Sequence, residues 1–93
     1  MRTIEWTGQF KRDYRREGKG QHRVTLDEAL FPVVDLIAND VPLEPSRRDH
    51  ALTSDWKDHR YCHIKPDLML IFSKPDSVTL RLVRLGSHSE LGL

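Results

Sequence analysis

The apolar run Leu68-Met69-Leu70-Ile71-Phe72 constrains this chain more than any other segment. It is five residues long, with Lys65-Pro66-Asp67 before it and Ser73-Lys74-Pro75-Asp76-Ser77 after it. A run this short between turn residues reads as a strand, Leu68 to Ser73, buried on both faces at the centre of a sheet. It is far too short to span a bilayer. No apolar stretch of signal-peptide length opens the chain, so a soluble, cytoplasmic protein with no membrane partner is expected.

The other elements can be read outward from this strand. Ile4 and Trp6 alternate with Glu5 and predict a first strand over Arg2 to Trp6. Thr7 can cap a following helix, in which Phe10 and Tyr14 share one face. Gly18-Lys19-Gly20 ends that helix. Thr25-Leu26-Asp27-Glu28 fits a capping box, and Leu26, Leu30, Val33, Val34 and Ile37 mark the apolar face of a second helix. Pro32 interrupts the pattern, so a kink is expected there, or a regular helix starting only near Phe31. Asn39-Asp40-Val41-Pro42 closes it. Residues 42–58 look like loop with short ordered pieces. Arg60 to Lys65 predicts a strand, and Val78, Leu80 and Leu82 mark the last one. The order β-α-α-β-β-β predicts an α+β fold, with two helices packed on a mainly antiparallel sheet. At 93 residues the chain is expected to be one domain, residues 1–93, with a small core.

Charge is distributed unevenly. Residues 1–24 hold seven Lys/Arg against three acids, residues 25–45 hold five acids and no Lys or Arg, and residues 46–93 hold eight Lys/Arg against six acids. The basic set Lys11, Arg12, Arg15, Arg16, Lys19 and Arg23 is dense enough to meet a polyanion such as RNA, though it also fits a solvated helix face. The single cysteine, Cys62, cannot form an internal disulfide, which fits a reducing compartment.

The chemistry-bearing residues lie in the second half: His50, His59, His63, Asp67, Arg84 and His88. His59 and His63 have a spacing that would suit a metal on a helix. On a strand, however, four residues span roughly 13 Å, too far for one ion. Cys62 and His63 are strand neighbours that point to opposite faces, so they form no catalytic dyad and Cys62 reads as a buried thiol. What remains is general acid–base chemistry. Imidazoles and a carboxylate can move protons near neutral pH, and an arginine can hold a phosphate, which is what metal-free RNA cleavage requires. Antiparallel pairing should bring His63 and Asp67 together across the Lys65-Pro66 turn, with Arg84 on the neighbouring strand and the site at one sheet edge. Trp56 reads as an anchor pinning the long loop, with base stacking as the alternative.

The string Asp49-His50-x-Leu52, Trp56-Lys57-x-x-Arg60-x-x-His63-Ile64-x-Pro66-Asp67-Leu68-x-Leu70-Ile71-Phe72 resembles the YafQ-type toxins of the RelE superfamily. The closing Arg84-x-Gly86-Ser87-His88 is similar to the end of that pattern, and the likeness runs from Ile4 to His88. The resemblance implies a RelE-like domain and a ribosome-dependent endoribonuclease of a type II toxin–antitoxin module, cutting translated mRNA in the A site without cofactor or metal. It implies that His50, His63, Asp67 and His88 form the acid–base site and that Arg84 steadies the phosphate. Asp67 would be the base toward the 2′-hydroxyl and His88 the acid, with His50 and His63 positioning or sharing protons. The implied partners are a cognate antitoxin, the ribosome with its mRNA and, through the antitoxin complex, operator DNA. Lys11, Arg12, Arg15, Arg16, Lys19 and Arg23 would dock on ribosomal RNA. Two departures stand out: Leu68 occupies a position that can be Trp, and the tail Leu91-Gly92-Leu93 lacks an aromatic residue. A non-catalytic protein on the same fold, retained as an antitoxin-binding co-repressor, is the competing expectation.

Overall fold

A computed structural model describes residues 1–52 and 56–93. Its strands are β1 (Thr3–Trp6), β2 (His50–Ala51), β3 (Arg60–Lys65), β4 (Leu68–Ser73) and β5 (Thr79–Gly86), and its helices are α1 (Gly8–Glu17), α2 (Leu26–Ala38) and α3 (His88–Leu91). The sheet order is β1-β5-β4-β3-β2. β1 runs parallel to β5, and the other pairs are antiparallel. β4 is therefore the middle strand, and every residue of it is buried, as its apolar run predicts.

The two long helices cover one sheet face. Phe10 of α1 and Leu30, Val33, Val34 and Ile37 of α2 meet Cys62, Ile64, Leu70, Phe72, Leu80, Leu82 and Leu85 of the sheet. Fully burying each large aliphatic or aromatic side chain contributes about 1.5–3 kcal/mol. Trp6 joins this layer, its ring centroid 5.1 Å from Phe10 and 5.2 Å from Tyr14. The opposite face carries a smaller cluster of Met69, Ile71 and Leu91, flanked by Leu52, Trp56, Tyr61 and Val83. Trp56 thus anchors the loop against the sheet.

Three local expectations are revised. α2 starts at Leu26 and runs through Pro32. Pro32 and Glu28 are both exposed, so the Glu28 carbonyl that loses its helix donor faces solvent, where water can satisfy it. Thr25 makes no side-chain cap; its hydroxyl instead receives a hydrogen bond from the Lys65 ammonium. A full capping box forms at Ser87 and Glu90, starting the short α3 that the sequence pattern did not suggest. Two bulges also break strand alternation, one in β3 between His63 and Lys65 and one in β5 at Val83. The second explains why Leu82 and Leu85, three apart, both face the helices. Among the described residues no helix is long and apolar enough to cross a membrane.

Candidate active site

Period two along β3 sends Cys62 and Ile64 into the helix-covered core and leaves Tyr61 and His63 on the other face. Cys62 is fully buried, and that burial pushes its thiol up to about 12, so it is an inert core residue. On the open face a row of rings crosses the sheet. His50 lies 5.6 Å from Tyr61, Tyr61 lies 6.2 Å from His63, and His63 lies 5.5 Å from His88, centroid to centroid. Register explains the row: His50 pairs with Tyr61 across β2 and β3, and Met69 of β4 stands between His63 and Gly86. The Ser87–Glu90 cap then starts α3 directly at His88. The site occupies a face of the sheet at the end where β3 and β5 finish, not a sheet edge.

His63 is held below its ordinary pKa, first by burial and then by repulsion from His88 and Arg48. A ring so biased is neutral near pH 7 and can accept a proton. It lines an open cleft of about 390 Å³ together with Arg47, Arg48 and Lys65.

Asp67 sits in the β3–β4 turn, where its carboxylate bonds outward. Gln21 Nε2 donates to Oδ2 at 2.9 Å, and His22 Nε2 lies 3.5 Å from Oδ1. Both partners come from the connection between α1 and α2. The expected Asp67–His63 pair does not form a hydrogen bond or ion pair; Asp67 is instead tied to this connection. His22 is a buried histidine that the linear pattern does not flag, because its partners Lys65 and Asp67 lie more than 40 positions away. Tyr61 could have been found by its two-residue offset from His63.

Arg84 is braced from beneath. Its Nε donates to Asp13 Oδ2 at 2.7 Å, and its Nη2 reaches Asp13 Oδ1 at 3.4 Å. Asp13 is fully buried on α1 and also accepts from the Leu85 amide at 3.1 Å and from Arg16 Nη1 at 3.0 Å. Burial alone would raise this carboxyl's pKa, but hydrogen bonds from Arg84 and Leu85 outweigh it and hold it below the usual value. Arg16 extends the network to the Leu85 carbonyl at 2.8 Å and to Glu90 of α3 at 3.1 Å. Its guanidinium is committed to the fold, unlike the exposed side chains of Lys11, Arg15, Lys19 and Arg23. Gly86 makes room for this network: a Cβ there would lie 2.9 Å from Arg16 Nη2 and 3.3 Å from Glu90.

His59 takes no part in the row; its Nδ1 pairs with the Lys57 carbonyl at 3.0 Å. Among the described residues no three His, Cys, Asp or Glu side chains converge in a way that could hold a metal ion.

The sequence and the fold are similar to those of known proteins. A family model described as bacterial toxin of type II toxin–antitoxin system, YafQ, matches residues 2–92. The mRNA interferase toxin YafQ of Escherichia coli B/BL21 is 37% identical over 91 residues, covering 98% of this chain and 96% of the relative. The crystal structure of the E. coli DinJ-YafQ complex includes a chain 37% identical with a TM-score of 0.80, covering 98% of both chains. A metal-bound toxin from Helicobacter pylori is 41% identical with a TM-score of 0.80, covering 98% of this chain and 99% of that one. With matching sequence along nearly its whole length and the same fold, this chain belongs to the YafQ family of type II toxin–antitoxin toxins.

Proposed function

We propose that this protein is an endoribonuclease that cuts translated mRNA in the ribosomal A site and that a cognate antitoxin neutralises it. The observation that carries the reading is the pair of imidazoles, His63 and His88, 5.5 Å apart on the open sheet face, with Arg84 on the strand leading into His88. The names of the E. coli relative and of its complex with DinJ support the activity and the antitoxin. In this reading Asp67 accepts the 2′-hydroxyl proton as the 2′-oxygen attacks phosphorus. His88 gives a proton to the departing 5′-oxygen, leaving a 2′,3′-cyclic phosphate and a 5′-hydroxyl. His63, neutral near pH 7, and His50 share or steady protons. Asp13 takes Nε and Nη2 of Arg84, so the remaining nitrogen can face the charge that builds on the phosphate. The exposed basic side chains of α1 and its following turn dock on ribosomal RNA through phosphates. The ribosome supplies the positioning that a small open site lacks. The chemistry needs no metal in the toxin.

A second reading, a non-catalytic antitoxin-binding protein, draws support from Asp67, which is bonded away toward Gln21, and from His50, which is separated from His63 by Tyr61. A primer-extension map of cleavage on a translated message separates the two. The wild-type toxin should cut in the presence of ribosomes, and should still cut after EDTA treatment when the ribosomes keep their magnesium. His88→Ala should lose roughly 10²–10⁴ in rate while remaining folded. Full activity in His88→Ala, efficient cutting of naked RNA, or recovery that depends on adding metal back to the toxin would each sink the catalytic scheme.

A further inference from the structure

The cleft beside His63 is bordered by three cations, and two of them are spent. Arg47 donates from Nη1 to the Ile64 carbonyl at 2.8 Å and to the His63 carbonyl at 3.4 Å, so it holds β3 in place. Lys65 turns away to Thr25 and to His22. Arg48 differs: it lines the same cleft and is exposed, its backbone N–H donates to the Pro45 carbonyl at 3.1 Å, and its guanidinium forms no hydrogen bond or ion pair among the described residues. Its backbone is left-handed, with φ 51 and ψ 52, where a side chain is disfavoured and glycine is preferred. An arginine held at such a position, lining a cleft and with its guanidinium unpaired among the described residues, has those donors available for a ligand from outside.

We infer that Arg48 and His63 form a phosphate subsite that grips an RNA phosphodiester next to the scissile one. The planar guanidinium suits bidentate phosphate contact. The cleft's other cations are fixed by the fold, so they contribute positive field rather than donors. The subsite rests on the ribonuclease reading for its place along an RNA strand, but its ability to take up a phosphate does not depend on cleavage. Arg48 adjoins the Asp49-His50 pair in sequence, and what singles it out is that Arg47 and Lys65 beside it are held by the fold.

The test is a titration of the folded toxin with inorganic phosphate, followed at the His63 imidazole resonances by NMR at fixed pH and ionic strength. A saturable shift is expected in the wild type. Arg48→Gln should weaken it about tenfold or more, and Arg48→Lys should fall between the two. Arg48→Gly removes the same donors while relieving the left-handed backbone, so it should lose phosphate binding without losing thermal stability. A second titration uses a 2′-deoxy-substituted RNA oligomer that cannot be cleaved. Arg48→Gln should lower its salt slope by about one. A response to free phosphate with no change in the oligomer slope would overturn the assignment to an RNA phosphodiester. Absence of a saturable shift in the wild type, or identical titrations in Arg48→Gln, would overturn the subsite itself. Arg48-dependent binding in a toxin that leaves translated mRNA uncut would keep the subsite and remove the nuclease reading.

Discussion

The two faces of the central sheet use the same strands for different ends. On the covered face, Cys62, Ile64, Leu70 and Phe72 are buried under α1 and α2, and shape decides which residue fits. On the open face, the same two strands present Tyr61, His63, Met69 and Ile71, and among the described residues Leu91 and Trp56 pack with Met69, Ile71 and Tyr61 in a smaller cluster. A sheet with both faces fully covered would be more stable and would have nowhere to admit a substrate. Part of the second face carries a small apolar cluster, and the imidazoles stand in a row beside it. Asp13 joins the two faces, since it is buried under α1 yet holds Arg84 and, through Arg16, reaches the helix that starts at His88.

Asp13 is therefore where the comparison breaks most easily. Its removal leaves Arg84 without its buried counter-charge, and losing one partner of a buried pair costs about 3–5 kcal/mol. Against a total stability of roughly 5–15 kcal/mol, Asp13→Ala should lower the denaturant midpoint severely. The carboxyl titrates below its ordinary 3.8 when folded. Its contribution is thus complete above that value and is lost as the pH falls through the lower folded pKa. Acid unfolding of the wild type should show this component, and Asp13→Ala should lack it. A variant with unchanged stability would show that Arg84 and Arg16 hold their places without Asp13.

A smaller effect sharpens the contrast between faces. Leu70→Ala, on the covered side of β4, should cost about 2–5 kcal/mol through the cavity it leaves. Tyr61→Ala, half-buried on the open side of β3, should cost less. Equal losses in urea unfolding would mean that the open face carries as much of the core as the covered one.

The same division governs how much could be read from the sequence. The covered face was legible because burial enforces period: the run in β4, the α2 stripe and the Cys62/His63 alternation all follow from local spacing. Thr25 misled because Lys65, distant in sequence, claims its hydroxyl in place of the cap. The bulge at Val83 hid the true phase of β5, since one extra residue shifts parity without leaving a composition signal. Within the candidate site, the sequence groups His50, His63, Asp67 and His88 and pairs His63 with Asp67; the structure instead sets His63 beside His88, 5.5 Å centroid to centroid. The settings of Asp67 and Arg84 were hidden, because Gln21, His22 and Asp13 reach them from α1 and the connection after it. Such contacts depend on how helices dock on the sheet, which no short window of sequence records.

The smallest effect tests the open face most directly. Burial is the main reason that His63 titrates below its ordinary 6.5, and the charge of His88 is the next. An NMR titration should therefore place the His63 midpoint below 6.5. Removing His88 should raise it only part of the way back, because the burial remains. The folded state disfavours protonated His63, so stability is unaffected above the ordinary value and falls as acid forces the proton on. A midpoint at or above the ordinary value would mean that water reaches this ring freely, and the neutral imidazole on which proton sharing depends would be lost. A midpoint that stays low and does not respond to His88→Ala would separate the two rings electrically, despite the 5.5 Å between their centroids. The expected partial return requires both conditions together: a ring screened from solvent on one side and facing a second titrating ring on the other, which is the arrangement a proton relay on an otherwise open sheet face would need.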